Sequence, residues 1–233
     1  MAAVTLTALR TRARRRAEQE NSLFCSDAEV TDYINEGAKR LHELLVGAFG
    51  EDYVKSSSAF NTNGGSDYAL PSDFFKLTGV DLNISNKPVP LKRYMEPERD
   101  AYRNIGTVSW FSVPRYKLEG NNLRLYPAPQ SGLAGTIIYI PLLQITLAAG
   151  GTANEFTSAN GNDTCNFPNG WEKFVTLYAA IEMLDKEESD TRHLVAKLNK
   201  WEAELVDSAS NRDAAHPKHS VDHELEELDP RWW

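Results

Sequence analysis

Cysteine is nearly absent. Cys25 and Cys165 are the only two, they lie far apart, and neither sits in a Cys-x-x-Cys or Cys/His cluster. A disulfide framework and a zinc centre therefore both lack their ligands. The two residues read as buried or idle thiols. No apolar run approaches the ~20 residues of a bilayer span, and the stretch from Thr5 to Ala17 is interrupted by arginines where a secretory signal needs an apolar core. The expectation is a protein made in the cytoplasm with no membrane attachment. Positive charge is short: 25 Lys and Arg stand against 33 Asp and Glu, giving a net charge of -8. Such a balance argues against a surface that wraps nucleic acid or an anionic membrane. The sequence has no GxSxG elbow, no HExxH and no phosphate-cradling glycine loop. The acid pairs Glu18 with Glu20 and Glu187 with Glu188 are candidates for glycoside cleavage, which needs two carboxylates about 5 to 9.5 Å apart across a cleft. Both pairs fall on helices whose apolar stripes face elsewhere, so they read as solvated faces. An enzyme is not expected, and neither is a cofactor.

What is present is ordinary globular material, 41% apolar and 25% charged over 233 residues, enough for a sizeable core. A first helix is expected from about Thr5 to Glu20, with Leu6, Leu9, Ala13 and Ala17 on one stripe. Ser26 and Glu29 form a capping box that opens a second helix. Its Val30, Tyr33, Ile34, Gly37, Leu41, Leu44 and Leu45 recur at steps of three and four until Gly47 and Gly50 close it. From Tyr53 to Thr146 the period changes to two. The clearest hairpin runs from Tyr116 to Leu125, turning at Gly120-Asn121-Asn122, and Ile137 to Ile140 is another strand. Glu96-Pro97-Glu98 starts a short helix reaching about Ile105. Leu147 to Pro168 is poor in large apolar residues and reads as a long surface loop. Asn169 or Gly170 then opens a third helix with Trp171, Phe174, Val175, Tyr178, Ile181 and Leu184, and a fourth follows with Leu194, Val195, Leu198, Trp201 and Leu205. The fold class is α+β: helices at 1–52 and 169–212 form one bundle, 53–146 is an inserted antiparallel β-rich module, 147–168 is the loop, and 213–233 is an extended C-terminal arm.

Three segments carry candidate binding chemistry. Arg10, Arg12, Arg14, Arg15 and Arg16 form the one strongly basic run. On a helix they fan around several faces, with Arg14 to Glu18 and Arg16 to Glu20 placed for local ion pairs. No major-groove motif accompanies them, so specific nucleic-acid binding is not expected; Arg12 and Arg15 are candidate contacts for an acidic protein surface. His216, His219, Asp222 and His223 have the steps of metal ligands but sit in a polar arm with nothing to orient the rings, and Asn160 to Thr164 lacks the later acids of a calcium loop. No metal site is expected. The arm itself is the strongest signal. From Asp213 onward six acids face two bases, and the chain closes on Trp232 and Trp233. Too little apolar surface is present there for independent folding, whereas two indoles with few rotatable bonds are what a docking anchor requires. Leu225, Leu228, Arg231, Trp232 and Trp233 are the expected partner contacts.

The order of motifs adds to this. Ser26-Asp27-Ala28-Glu29-Val30 with Tyr33-Ile34-Asn35-Glu36, then Tyr68-Ala69-Leu70-Pro71-Ser72-Asp73-Phe74, then Leu123-Arg124-Leu125-Tyr126-Pro127-Ala128-Pro129, then Pro168-Asn169-Gly170-Trp171-Glu172, resembles the head-to-tail adaptor proteins of tailed bacteriophages from about Leu6 to Leu205. The resemblance implies a structural virion protein at the head-tail junction, assembled in the host cytoplasm. It implies a ring of roughly twelve copies beneath the portal protein, offering a platform to tail or nozzle proteins. It makes the portal the partner of the arm. Some relatives are reported to degrade peptidoglycan, so a virion-associated hydrolase is the alternative function, with a nucleic-acid-binding protein the third. No matching catalytic motif carries over.

Overall fold

The computed structural model describes residues 3–20, 24–50, 53–95, 113–167 and 170–210. Helix α1, Leu6–Arg16, begins where the Thr5 side chain accepts the Ala8 N–H, and buries Leu6, Leu9 and Ala13. It is shorter than expected. Ala17 is its C-cap and Glu18 turns left-handed at φ 57°. Helix α2, Asp27–Phe49, opens on the capping box: Ser26 accepts from the Glu29 N–H and the Glu29 carboxylate accepts from the Ser26 N–H. Gly50 alone ends it, and Gly47 lies inside the last turns. The 3.6 periodicity is satisfied there without needing a break. Helix α3, Glu172–Lys186, starts after Trp171, and α4 spans Arg192–Ser210. Asn169 and the expected helix at 96–105 lie outside the described residues.

These helices come from both ends of the chain and share one core, in which Leu9, Ile34, Leu41, Phe174, Val175, Met183 and Leu205 are buried. Helix α3 touches α1, α2 and α4, which explains why Leu177, Ala179 and Ala180 are buried outside the expected stripe. The α2–α3 crossing is close enough that a Cβ added to Gly37 would lie 3.0 Å from the Tyr178 Cβ. Small residues are what such an approach demands. Val195, expected among the core positions of α4, is exposed.

The strands are antiparallel throughout. Strands β2 (Ser56–Asn61), β4 (Phe74–Ile84), β5 (Lys87–Pro90) and β8 (Ala134–Pro141) form one sheet in the order β2-β8-β4-β5. Strands β3 (Asp67–Ala69), β6 (Arg115–Glu119) and β7 (Asn122–Tyr126) form a second in the order β3-β7-β6. Together they enclose a second core of Tyr68, Val80, Leu82, Leu91, Leu123, Leu125, Ile137 and Tyr139. The β6–β7 hairpin closes on Gly120, at φ 56°, and Asn121, while Asn122 pairs with Glu119 inside the ladder. Leu118 is exposed because β6 is an edge strand. The fold is therefore α+β.

The segment at 147–168 departs from a plain surface loop. Strands β1 (Val4–Thr5), β9 (Ile145–Thr146), β10 (Thr152–Ala153) and β11 (Thr164–Cys165) form a third sheet, order β1-β11-β9-β10, and Phe156, Cys165 and Phe167 enter the helical core. Asn35 on α2 is the clamp: its amide donates to the Phe156 carbonyl at 3.0 Å and accepts from the Phe156 N–H at 2.8 Å. A buried backbone pair is thus satisfied by one side chain.

His42 sits where the two cores meet. Its ring packs edge-on against Tyr53 and Phe75, with centroids 5.6 and 5.0 Å away, and it bonds the Pro141 carbonyl. Burial lowers its pKa, against smaller opposing effects of that carbonyl and Glu43. A histidine whose folded pKa is depressed favours the fold above its unfolded pKa, near 6.5, and that contribution is lost as pH falls below it. We expect the midpoint of urea unfolding to drop between pH 7.5 and 5.5, and His42→Gln to flatten that slope. An unchanged slope in the variant would exclude His42 as its origin.

Candidate interaction surface

The residues that could have carried catalysis are not brought together. Glu18 and Glu20 follow the end of α1, Glu187 and Glu188 follow the end of α3, and all four are exposed. Cys25 and Cys165 are buried free thiols whose pKa values are raised chiefly by burial, Cys165 to about 12. In the Asn160 to Thr164 turn, the Asp163 carboxylate accepts the Ala148 N–H at 2.9 Å, and the Gly161 and Asp163 carbonyls accept the N–H groups of Thr7 and Leu6. That turn holds the start of α1. Among the described residues no His, Cys, Asp and Glu group could hold a metal ion. His216, His219, Asp222 and His223 lie outside them, as do Leu225, Leu228, Arg231, Trp232 and Trp233.

The arginine run divides by burial. Arg10 donates to the Thr31 hydroxyl from Nε at 3.0 Å and from Nη2 at 2.6 Å, and to the Ser158 carbonyl at 2.9 Å. Arg14 donates to the Cys25 carbonyl at 2.8 Å and to Asp27 at 2.9 Å. With side chains only 12% and 14% exposed, these two tie α1 to the start of α2. Arg12 lies 3.5 Å from Glu172 and Arg15 lies 3.6 Å from Glu20, with side chains 50% and 62% exposed. The expected Arg14–Glu18 and Arg16–Glu20 pairs do not form, because α1 stops at Arg16 and the four-residue helical spacing ends with it.

Arg16 instead joins a cluster that has no local sequence signature. Its guanidinium stands 5.5 Å from the centroid of Trp201, and the Lys173 and Lys197 ammonium groups stand 5.0 and 5.1 Å from the same ring. Lys173 also lies 4.8 Å from the Trp171 ring. Three helices thus bring three cations to one indole, an arrangement favourable for each cation alone but repulsive among the three. Burial, then Arg12, lowers the Arg16 pKa. Only the Lys197 to Trp201 step, four apart on α4, was visible in the sequence; Arg16 and Lys173 arrive by tertiary packing. On the α2–α3 side, Glu182 lies beside Glu36, Asp185 and the Tyr178 hydroxyl, and its pKa is raised by burial and by those two carboxylates.

Among the described residues the surface around Trp201 is charged and aromatic. No helix among the described residues is long and apolar enough to cross a membrane. The family model for the SU10 adaptor protein matches residues 4–222. The chain belongs to that family of phage head-tail adaptors, a family of structural virion components and not an enzyme class. No curated protein matches the chain.

Proposed function

We propose that the chain is the adaptor that joins the portal to the tail, as a homo-oligomeric ring of roughly twelve copies assembled in the host cytoplasm and placed at the head-tail junction. The observation that carries this reading is the family match from residue 4 to residue 222, which spans both helical ends and the strands between them. In this reading the helices of 1–52 and 169–212 build the body of the ring, the strands of 53–146 form the platform for tail or nozzle proteins, and the 213–233 arm reaches the portal. Leu225, Leu228, Trp232 and Trp233 fill apolar pockets there, while Arg231 and the acids pair along the path. Arg12 and Arg15 meet an acidic protein surface.

Each copy has two cores of its own, so folding does not require the ring. Light scattering on the isolated protein at micromolar concentration is expected to give the 26.1 kDa monomer or a small oligomer, and a closed ring only after portal is added. A stable ring without portal would contradict templated assembly, and no association with portal would overturn the function.

A further inference from the structure

The cations around Trp201 lack a counterpart. Among the described residues neither Arg16, Lys173 nor Lys197 has a carboxylate within 4.0 Å, and the same holds for cations about Glu36, Glu182 and Asp185. Nearby opposite charges are engaged elsewhere: Glu202 with Arg40, Glu204 with Lys200, and Lys186 with Glu29. Both clusters border helix α3 but do not face the same way. Lys173 and Glu182 are nine residues apart, which is two and a half turns and about 13.5 Å of rise, and places them on opposite sides of the helix. Lys173 accordingly meets Trp201 of α4, while Glu182 lies beside Glu36 of α2.

One side of α3 therefore borders three cations on an aromatic floor and its other side borders three carboxylates, and among the described residues no ion pair engages either set. Two different complementary patches define a heterologous contact, which repeats from copy to copy and closes when the rotation divides a circle. A two-fold dimer would instead need one self-complementary patch. A long polyanion would meet the repulsion of a chain with net charge -8. Resting on the ring reading above, we propose that the Arg16, Lys173, Lys197 and Trp201 patch docks on the Glu36, Glu182 and Asp185 face of the next copy of this chain. Like charges crowded within each patch raise the energy of the isolated subunit, and bringing the two patches together relieves it; such complementarity sets partner and register. Because rim charges alone give modest affinity, the contact stays open in dilute solution and closes where the portal gathers the copies.

The test uses portal-bearing heads and two full-length variants, Lys173→Glu with Lys197→Glu, and Glu36→Lys with Glu182→Lys. Either variant alone sets like charges against each other. An equal mixture restores opposite charges at every contact when the two alternate. After loading, a carbodiimide joins adjacent amines and carboxylates, and chains labelled with nitrogen-15 mixed with unlabelled chains identify links between copies. Wild type is expected to give Lys173 or Lys197 linked to Glu36, Glu182 or Asp185 of another copy. Each variant alone should load at least tenfold fewer copies per head, and the mixture should recover most of the loss, which misfolded variants could not do. Full loading by either variant alone, or a mixture no better than its components, overturns the interface while the connector reading stands. Wild-type protein that fails to load overturns the connector reading itself.

Discussion

Replacing Phe174 by alanine is expected to remove about 3–5 kcal/mol of stability, the cost of emptying a large aromatic site in a core that relaxes only in part. For a chain of this length that lowers the melting temperature by roughly 6–20 °C. The reason lies in where α3 runs: it touches α1, α2 and α4, and Phe174 has no exposed surface and belongs to the core those helices share. Leu118→Ala is the control: that side chain is 39% exposed on an edge strand and should cost under about 1 kcal/mol. Thermal and urea unfolding of the two variants would separate them. Equal small losses would mean that the helices at 6–49 and 172–210 do not depend on one another.

How much could be read from the sequence follows the distance over which each feature is encoded. The capping box at Ser26 and Glu29, the α2 stripe and the 116–125 hairpin were legible because donor and acceptor, or apolar and polar, alternate within a few residues. The end of α1 was less so. Four-residue spacing predicted pairs for Arg14 and Arg16, yet Asp27 and Trp201 take those side chains once α1 has stopped. The 147–168 segment reads as a long surface loop because its composition is polar, while the three residues that enter the helical core, Phe156, Cys165 and Phe167, are spaced by no period. The clamp on it, Asn35, is 121 residues away. The Trp201 patch was invisible for the same reason, being assembled from α1, α3 and α4. The family order of motifs was legible although no single motif was specific, since each is a helix cap, a strand end or a turn with its own physical reason to be there.

Attachment to the portal through the arm is the central claim, and the second large effect is expected there. Ordering a polar segment costs conformational entropy, so the few apolar side chains must supply the excess, and truncating a buried interface Trp commonly costs ~2 kcal/mol or more. Two such residues correspond to a loss of roughly 1000-fold in affinity. Trp232→Ala with Trp233→Ala should account for most of the defect caused by deleting Glu227 to Trp233, and neither change should move the melting temperature by more than about 2 °C. The deciding measurement is the affinity of the truncated protein for portal, taken beside its melting curve. A normal melt with portal binding weakened by a hundredfold or more is the predicted result. A normal melt with undiminished binding would make the arm a passive terminus and contradict the claim, and a sharply lowered melt would place the indoles in the protein's own core instead.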